Sequence, residues 1–364
     1  MSSFVVNTST LQSVVNKAVK GASNNKFSAI TSLMNVVVSG GKISVTTTDC
    51  NNYLTITDNI VSGDDLSFTI GVDVFSKLVS KTSVENIKIS VSDDEIAFTG
   101  NGTYKLPIQL DVDGSTIKYP THEINSPDFT GTIKTSVIKN IIFHNKPSLA
   151  LTMEAPYLTG YLCNGENVIS ADSFNICSNK IPTFSKNLLV PPIVFELLSM
   201  STGEDINYKG SENNVLFEND HIKLYSTMYD NIDDYPVDAI TNILSTEYTS
   251  NCVLPKTALL SVIDRLSIFI KENDQNGLYF NFNNNGVTVE SMTGSGIETI
   301  PYQGSENFKQ FSCCIGVDAL KKQIASHSGE AINIYYGNER MIMIKDDNVT
   351  QIISLLDDPR VSGE

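Results

Sequence analysis

Basic residues are scarce in this sequence. The 364-residue chain carries a net charge of −16 and three arginines, Arg265, Arg340 and Arg360. A surface of that sign excludes simple whole-surface attraction to nucleic acid. Long apolar runs are missing too. None approaches the roughly 18 residues of a membrane-spanning helix, so no membrane association is expected. The start, Met1-Ser-Ser-Phe-Val-Val6, lacks the basic and apolar regions of a secretion signal. Cysteines Cys50, Cys163, Cys177, Cys252, Cys313 and Cys314 are scattered without a Cys-x-x-Cys pair, which points to reduced core thiols and against a zinc site. His122, His144, His221 and His327 lack metal-ligand spacing. Phosphate-binding and nucleophile-elbow motifs are absent as well. The acid pairs Asp93-Asp94 and Asp233-Asp234 read as solvated turns. Nothing nominates a nucleophile, a base, a metal or a cofactor, so an enzyme is not expected.

What is present is a repeat. Ile70-Gly-Val-Asp73 recurs as Ile315-Gly-Val-Asp318, and a looser copy lies at Val190-Pro-Pro-Ile193. The triplets Phe75/Leu78/Val79, Val194/Leu197/Leu198 and Leu320/Gln323/Ile324 share the i, i+3, i+4 spacing of one helix face, Gln323 being the polar exception. A unit returning about every 120 residues is one of several related domains, not a single fold. Boundaries are placed at 1–124, 125–246 and 247–364. The Tyr-Pro pairs at 119–120 and 235–236 stop the sheets, and a polar tail follows residue 356.

Each unit reads as two halves of strand, helix and three strands. In the first, Leu11, Val14, Val15 and Ala18 form an apolar helix face capped by Ser9 or Thr10. Gly40-Gly41 closes a hairpin, and Asn101-Gly102 turns the last two strands. In the second, Ile138, Ile141 and Ile142 repeat the helix face. Strands are expected at 148–152, 157–162 and 167–171. In the third, Pro255 opens a helix carrying Leu259, Val262, Ile263 and Leu266. The fold class is α+β, in two-layer domains.

The charge is unevenly spread. From Met1 to Thr48 stand Lys17, Lys20, Lys26 and Lys42 and no acid; from Phe129 to Met153 stand Lys134, Lys139 and Lys146 and no acid. The helices are neutral to basic, while strands and turns hold the acids.

In the order and spacing of Thr46-Thr-Thr-Asp49, Tyr157-Leu-Thr-Gly160, Ser170-Ala-Asp-Ser-Phe-Asn-Ile176 and Asp234-Tyr-Pro236, nearly the whole chain resembles the bacterial-type β sliding clamps, the β subunits of DNA polymerase III. The resemblance implies a DNA replication processivity factor in the bacterial cytoplasm: a head-to-tail homodimeric ring with helices inside and antiparallel sheets outside. It implies sequence-independent contact with double-stranded DNA through phosphates. The lysines so assigned are Lys17, Lys20, Lys26, Lys77, Lys81, Lys134, Lys139, Lys146, Lys321 and Lys322. It also implies an apolar cleft for peptides of the polymerase and clamp loader. Carried over by position, the cleft comprises Leu158, Ser173, Phe174, Asn175, Ile176, Pro236, Ile240, Ile353, Leu355 and Leu356. The ring interface falls on Tyr104 and Leu106 against Ile268 and Phe269.

The chain departs from the family pattern. Phe174 and Asn175 stand where many clamps have histidine and arginine, and Leu355-Leu-Asp-Asp358 replaces a Met-Pro-Met-like end. With low arginine and abundant asparagine, this implies an AT-rich genome and a divergent, phage-type member. A β-rich structural or adhesion protein and a hydrolase on an unfamiliar scaffold are the competing readings. The helix-bearing repeats disfavour the first and the missing site disfavours the second.

Overall fold

The computed structural model describes every residue except Met1, Lys26, Asp94, Val112, Thr116, Lys118, 271–275 and 359–364. Its contacts divide into two compact units: Met1–Ile138 with Ile193–Met228, and Lys139–Pro192 with Tyr229–Glu364. The α-helices are α1 (Thr8–Ala18), α2 (Val72–Lys81), α3 (Thr135–Asn145), α4 (Pro192–Leu198), α5 (Val237–Leu244), α6 (Lys256–Leu266) and α7 (Val317–Ala325).

The first unit holds two antiparallel sheets. One runs Ser62–Gly63, Ser2–Asn7, Asn86–Val91, Glu95–Thr99, Thr103–Pro107. The other has eight strands, from Phe129–Lys134 at one edge to Leu66–Gly71 at the other. At its middle Ile222–Thr227 pairs with Asn52–Asn59, joining the two halves of the sheet. Alternation explains the layers. Ile43 and Val45 face the core, while Ser44 and Thr46 point outward and bridge to Thr57 and Thr55 at 2.9 Å each. Gly40 and Gly41 take φ of 58° and 78°, which the tight hairpin between those strands requires.

Against the sheets lie α1 and α2, side by side. The α1 stripe Leu11, Val14, Val15, Ala18 is fully buried, as its spacing predicts. Gln12 Nε2 crosses to α2, donating to the carbonyls of Val79 and Thr82 at 3.0 Å each. The cap differs from expectation: Asn7 holds it, its Oδ1 accepting from Ser9 N at 3.1 Å, so the helix opens at Thr8. Each fully buried Leu or Val contributes about 1.5–3 kcal/mol, so Leu11→Ala, with its cavity, would cost about 2–5 kcal/mol.

The second unit is built on one sheet system of thirteen strands. Here Asn175–Lys180 pairs with Val349–Leu356. One apolar core gathers α6, α7 and the strands around Phe280, Phe282 and Tyr336. Three expectations fail locally. Residues 148–152 are not a strand; Lys146–Ser148 is a 3-10 turn, and Leu151 beyond it is exposed. Pro156 opens a second 3-10 turn, Pro156–Thr159, so the strand expected at 157–162 is reduced to Tyr161–Cys163. Prolines 147 and 156 bring no N–H to a ladder, and the apolar letters alone do not supply one. Finally Pro236 does not merely end a sheet. It stands at the N-terminus of α5.

Candidate nucleic-acid interface and partner groove

Because the apolar sides of α1 and α2 are buried, Lys20, Lys77 and Lys81 stand in solvent and Lys17 is half-exposed. Lys134 ends the strand before α3 and is exposed, as are Lys139 on α3, Lys146 in the turn after it, and Lys321 and Lys322 on α7. Lys26 lies outside the described residues. Lys77 pairs with Asp73 at 2.6 Å and Lys321 on α7 with Asp264 on α6. Such exposed pairs are weak. The structure brings Lys146 and Lys322 to one groove of about 480 Å³, lined also by Phe143, Pro147, Leu151 and Ala319.

The cleft residues are not gathered in one place, and Asn175 lines the groove of Lys146 and Lys322. Ile176 and Ile240 are buried in one apolar cluster with Leu162, Tyr235, Met343 and Ile352, and Leu158 is half-buried against it. Pro236 lines an open groove of about 890 Å³ beside α5, whose floor includes Leu162 and Tyr235 of that same cluster. Leu355 and Leu356 line a separate groove of about 630 Å³ with Phe311 and Cys313. Ile353 is buried in the larger core and pairs across to Asn175. Ser173 is exposed, and Phe174 is 65% exposed, at the tip of a turn. Asp172 holds that turn, its Oδ1 accepting from the amides of Phe174 and Asn175 at 2.7 and 2.6 Å.

Sequence reasoning missed Met341, Met343 and Tyr335, which pack on the same cluster as Ile240. The alternation Met341-Ile-Met-Ile344 was the available signal. Methionine suits a surface that adapts to different side chains.

The second unit also buries polar side chains. Asn145, Ser170, Asn179, Gln323 and Gln351 are all buried. Gln351 Nε2 donates to Ser326 Oγ at 2.8 Å, and its Oε1 meets His327 Nε2 at 2.5 Å. His327 Nδ1 stands 3.3 Å from Asp346 Oδ2. Burial works against the Asp346 carboxylate, yet the His327 hydrogen bond and two backbone amides hold it down at about 2. Burial, and then neighbouring His327, hold His144 below the usual histidine range. Gln323 Nε2 donates to Ser148 Oγ at 2.6 Å, tying α7 to the turn after α3. None of this resembles a catalytic arrangement. Burial pushes the Cys163 and Cys177 thiols up, away from a reactive thiolate. Among the described residues no group of three His, Cys, Asp or Glu could hold a metal ion. No described helix is long and apolar enough to cross a membrane.

The interface positions occupy two edges. In the first unit Thr103–Pro107 ends its sheet, with Tyr104 half-exposed and Leu106 turned into the core. In the second, Ile268 is 77% and Phe269 41% exposed on the 3-10 turn after α6.

No protein-family model matches the sequence, and no curated protein does. Solved structures match it end to end. The DNA polymerase sliding clamp of Bacillus subtilis superposes with a TM-score of 0.84 at 18% identity, over 98% of this chain and 99% of that one. The DNA polymerase III β chain of Streptococcus pneumoniae gives 0.85 at 14% identity, over 98% and 100%. The β subunit of Borrelia burgdorferi, solved in complex with a natural product, gives 0.85 at 18% over the same shares.

The chain has the sliding-clamp fold. The α+β character and the strand–helix–three-strand halves read from the sequence are those of that fold. With the fold so diverged in sequence, the three repeats are carried by periodicity and pairing more than by shared letters.

Proposed function

We propose that the chain is a DNA sliding clamp, a non-enzymatic processivity factor that encircles duplex DNA and tethers a replicative polymerase to it. One observation carries the reading: the match to sliding clamps covers 98% of this chain and 99–100% of those chains. Lysines on solvent-facing helices supply phosphate attraction without base readout. Lysine is a mobile point charge, which suits a ring that must slide better than the bidentate grip of arginine. The working compartment is the cytoplasm of a bacterium or of a phage-infected bacterium, and the partners are a polymerase and a clamp loader bound through short peptides.

The domains are those of the repeat, 1–124, 125–246 and 247–364, and two copies close head to tail. The chain's own pairing supports this. The fourth strand of repeat one, Asn52–Asn59, pairs with the last strand of repeat two, Ile222–Thr227. The fourth strand of repeat two, Asn175–Lys180, pairs with the last strand of repeat three, Val349–Leu356. That leaves the fourth strand of repeat three, Ile297–Ile300, and the last strand of repeat one, Thr103–Pro107. Each ends its sheet path among the described residues. A second copy completes the series with the same kind of antiparallel pair. Side chains follow suit. Ser148 after α3 meets Gln323 on α7; the corresponding positions are Phe269 after α6 and Leu78 on α2.

The deciding experiment is retention on DNA. Loaded protein should stay on a nicked circle through gel filtration and be lost when the circle is linearised. Equal retention on both forms, as for an ordinary DNA binder, or retention on neither after loading, would refute the clamp reading.

A further inference from the structure

We propose that the groove beside α5 selects a cationic partner peptide, with apolar anchors flanked by lysine or arginine. This rests on the clamp reading for the expectation that a peptide docks on the second unit, and adds the chemistry of that peptide. The groove holds about 890 Å³ and is open to solvent. Its floor is Leu162, Ile232, Tyr235, Pro236 and Val237. Leu162 and Tyr235 belong to the packed cluster with Ile176 and Ile240, so the floor is preformed. Its rim carries Asp233 and Asp238, both exposed. Lys186 is the basic residue of the lining, so the rim remains net acidic.

A second groove in the same unit points the same way. Leu355, Leu356 and Phe311 form its apolar part and Glu339, Asp357 and Asp358 its charged part, and among the described residues no lysine or arginine lines it. The grooves reached by Pro236 and by Leu355 and Leu356 therefore have apolar floors and acidic rims, whereas the groove reached by Asn175 carries Lys146 and Lys322 beside Asp172. A carboxylate-bearing peptide meets like charge at each acidic rim, whereas a lysine-flanked one meets complementary charge. The anchors set most of the affinity, because exposed ion pairs are individually weak. The rim sets the choice between peptides and the rate of encounter.

The test is fluorescence anisotropy on the full chain. Two short labelled peptides share leucine and phenylalanine anchors; one is flanked by lysine pairs, the other by glutamate pairs. The lysine-flanked peptide should bind about tenfold tighter at low salt, with the advantage shrinking as salt rises. Asp233→Asn with Asp238→Asn should weaken that peptide about fivefold without changing the melting temperature. Equal binding, tighter binding of the glutamate peptide, or no binding of either near about 1 mM overturns the proposal, as does unchanged affinity in the double variant. Retention on nicked circles is read without any peptide, so failure here and failure of the clamp reading are separate results.

Discussion

Truncating Ile268 and Phe269 together to alanine should turn a dimer into a monomer. Within its own chain the pair does little. Ile268 is 77% exposed, and Phe269, 41% exposed, lies against Gly296. Exposed substitutions of this kind usually stay within about 0.5 kcal/mol of the parent fold, with somewhat more for the phenylalanine. Covered by a second copy, each side chain would give about 1.5–3 kcal/mol. A head-to-tail dimer uses the pair twice, so four side chains are lost. Allowing for the methyls that alanine keeps, the loss is at least about 4 kcal/mol, roughly three decades in the dimer dissociation constant. Light scattering across a micromolar dilution series reads the answer. The parent should show about twice the 39.8 kDa chain mass and the double variant the single mass, at nearly equal melting temperature. The repeat correspondence adds a reciprocal arm. Val74 on α2, 57% exposed, occupies the position of Ala319, which lines a groove with Pro147 in the second unit. Val74→Glu should therefore also give monomer. A double variant that keeps the dimer mass would refute the interface, and a dimeric Val74→Glu would refute the correspondence that placed α2 there.

Three further outcomes follow from the second unit and the lysines. Gln323→Leu alone leaves the Ser148 hydroxyl without its buried partner and should cost about 1–3 kcal/mol in urea unfolding; adding Ser148→Ala should recover most of it, and plain additivity of the two losses would refute the pairing. His144 has a depressed pKa, so the unfolded chain binds more protons in the affected window; its contribution is full above the ordinary histidine range and is lost as pH falls below it. His144→Leu should flatten the decline in the urea midpoint below about pH 6.5, the model-peptide histidine value, whereas a slope parallel to the parent would count against it. A second decline, from Asp346, belongs between the ordinary aspartate range and about 2 and should survive that substitution. Alanine at Lys20, Lys139 and Lys322 should reduce the salt slope of DNA association by about 0.9 for each phosphate contact removed, measured on linear duplex before loading; an unchanged slope would remove these lysines from the interface.

Much of the architecture was legible because it is repeated. The stripe Leu11, Val14, Val15, Ala18 and its copy Leu259, Val262, Ile263, Leu266 are spaced for one helix face, and both are buried. The interface and cleft positions were reachable by resemblance alone, since no local rule distinguishes exposed Phe174 from buried Ile176. What failed had local causes. Leu149 to Leu151 look like a strand by composition, but a strand needs a partner edge, and the prolines at 147 and 156 withhold N–H groups on either side. Gln323 broke the apolar triplet for a reason invisible in its own segment: its partner, Ser148, is 175 residues away. The helix α5 was hidden behind a proline that was given the wrong direction, as an exit and not as an entry.

The mismatch between three repeats and two compact units has the same physical source. The fourth strand of one repeat pairs with the last strand of the next, so the sheets do not stop where the sequence repeat does. The strands of the middle repeat therefore belong to different sheets: Phe129–Lys134 and Asp205–Thr227 to the eight-stranded one, Tyr161–Lys180 and Leu188–Val190 to the thirteen-stranded one. Contacts divide that repeat accordingly, at Ile138, at Pro192 and at Met228. A repeat that shares both its sheets cannot complete its cores alone. Among the described residues Thr103–Pro107 of the first repeat and Ile297–Ile300 of the third each end a sheet path, and the proposed ring would pair them with each other. The divided middle repeat and the proposed ring thus rest on one pairing rule, which the chain satisfies twice and which a second copy would satisfy a third time.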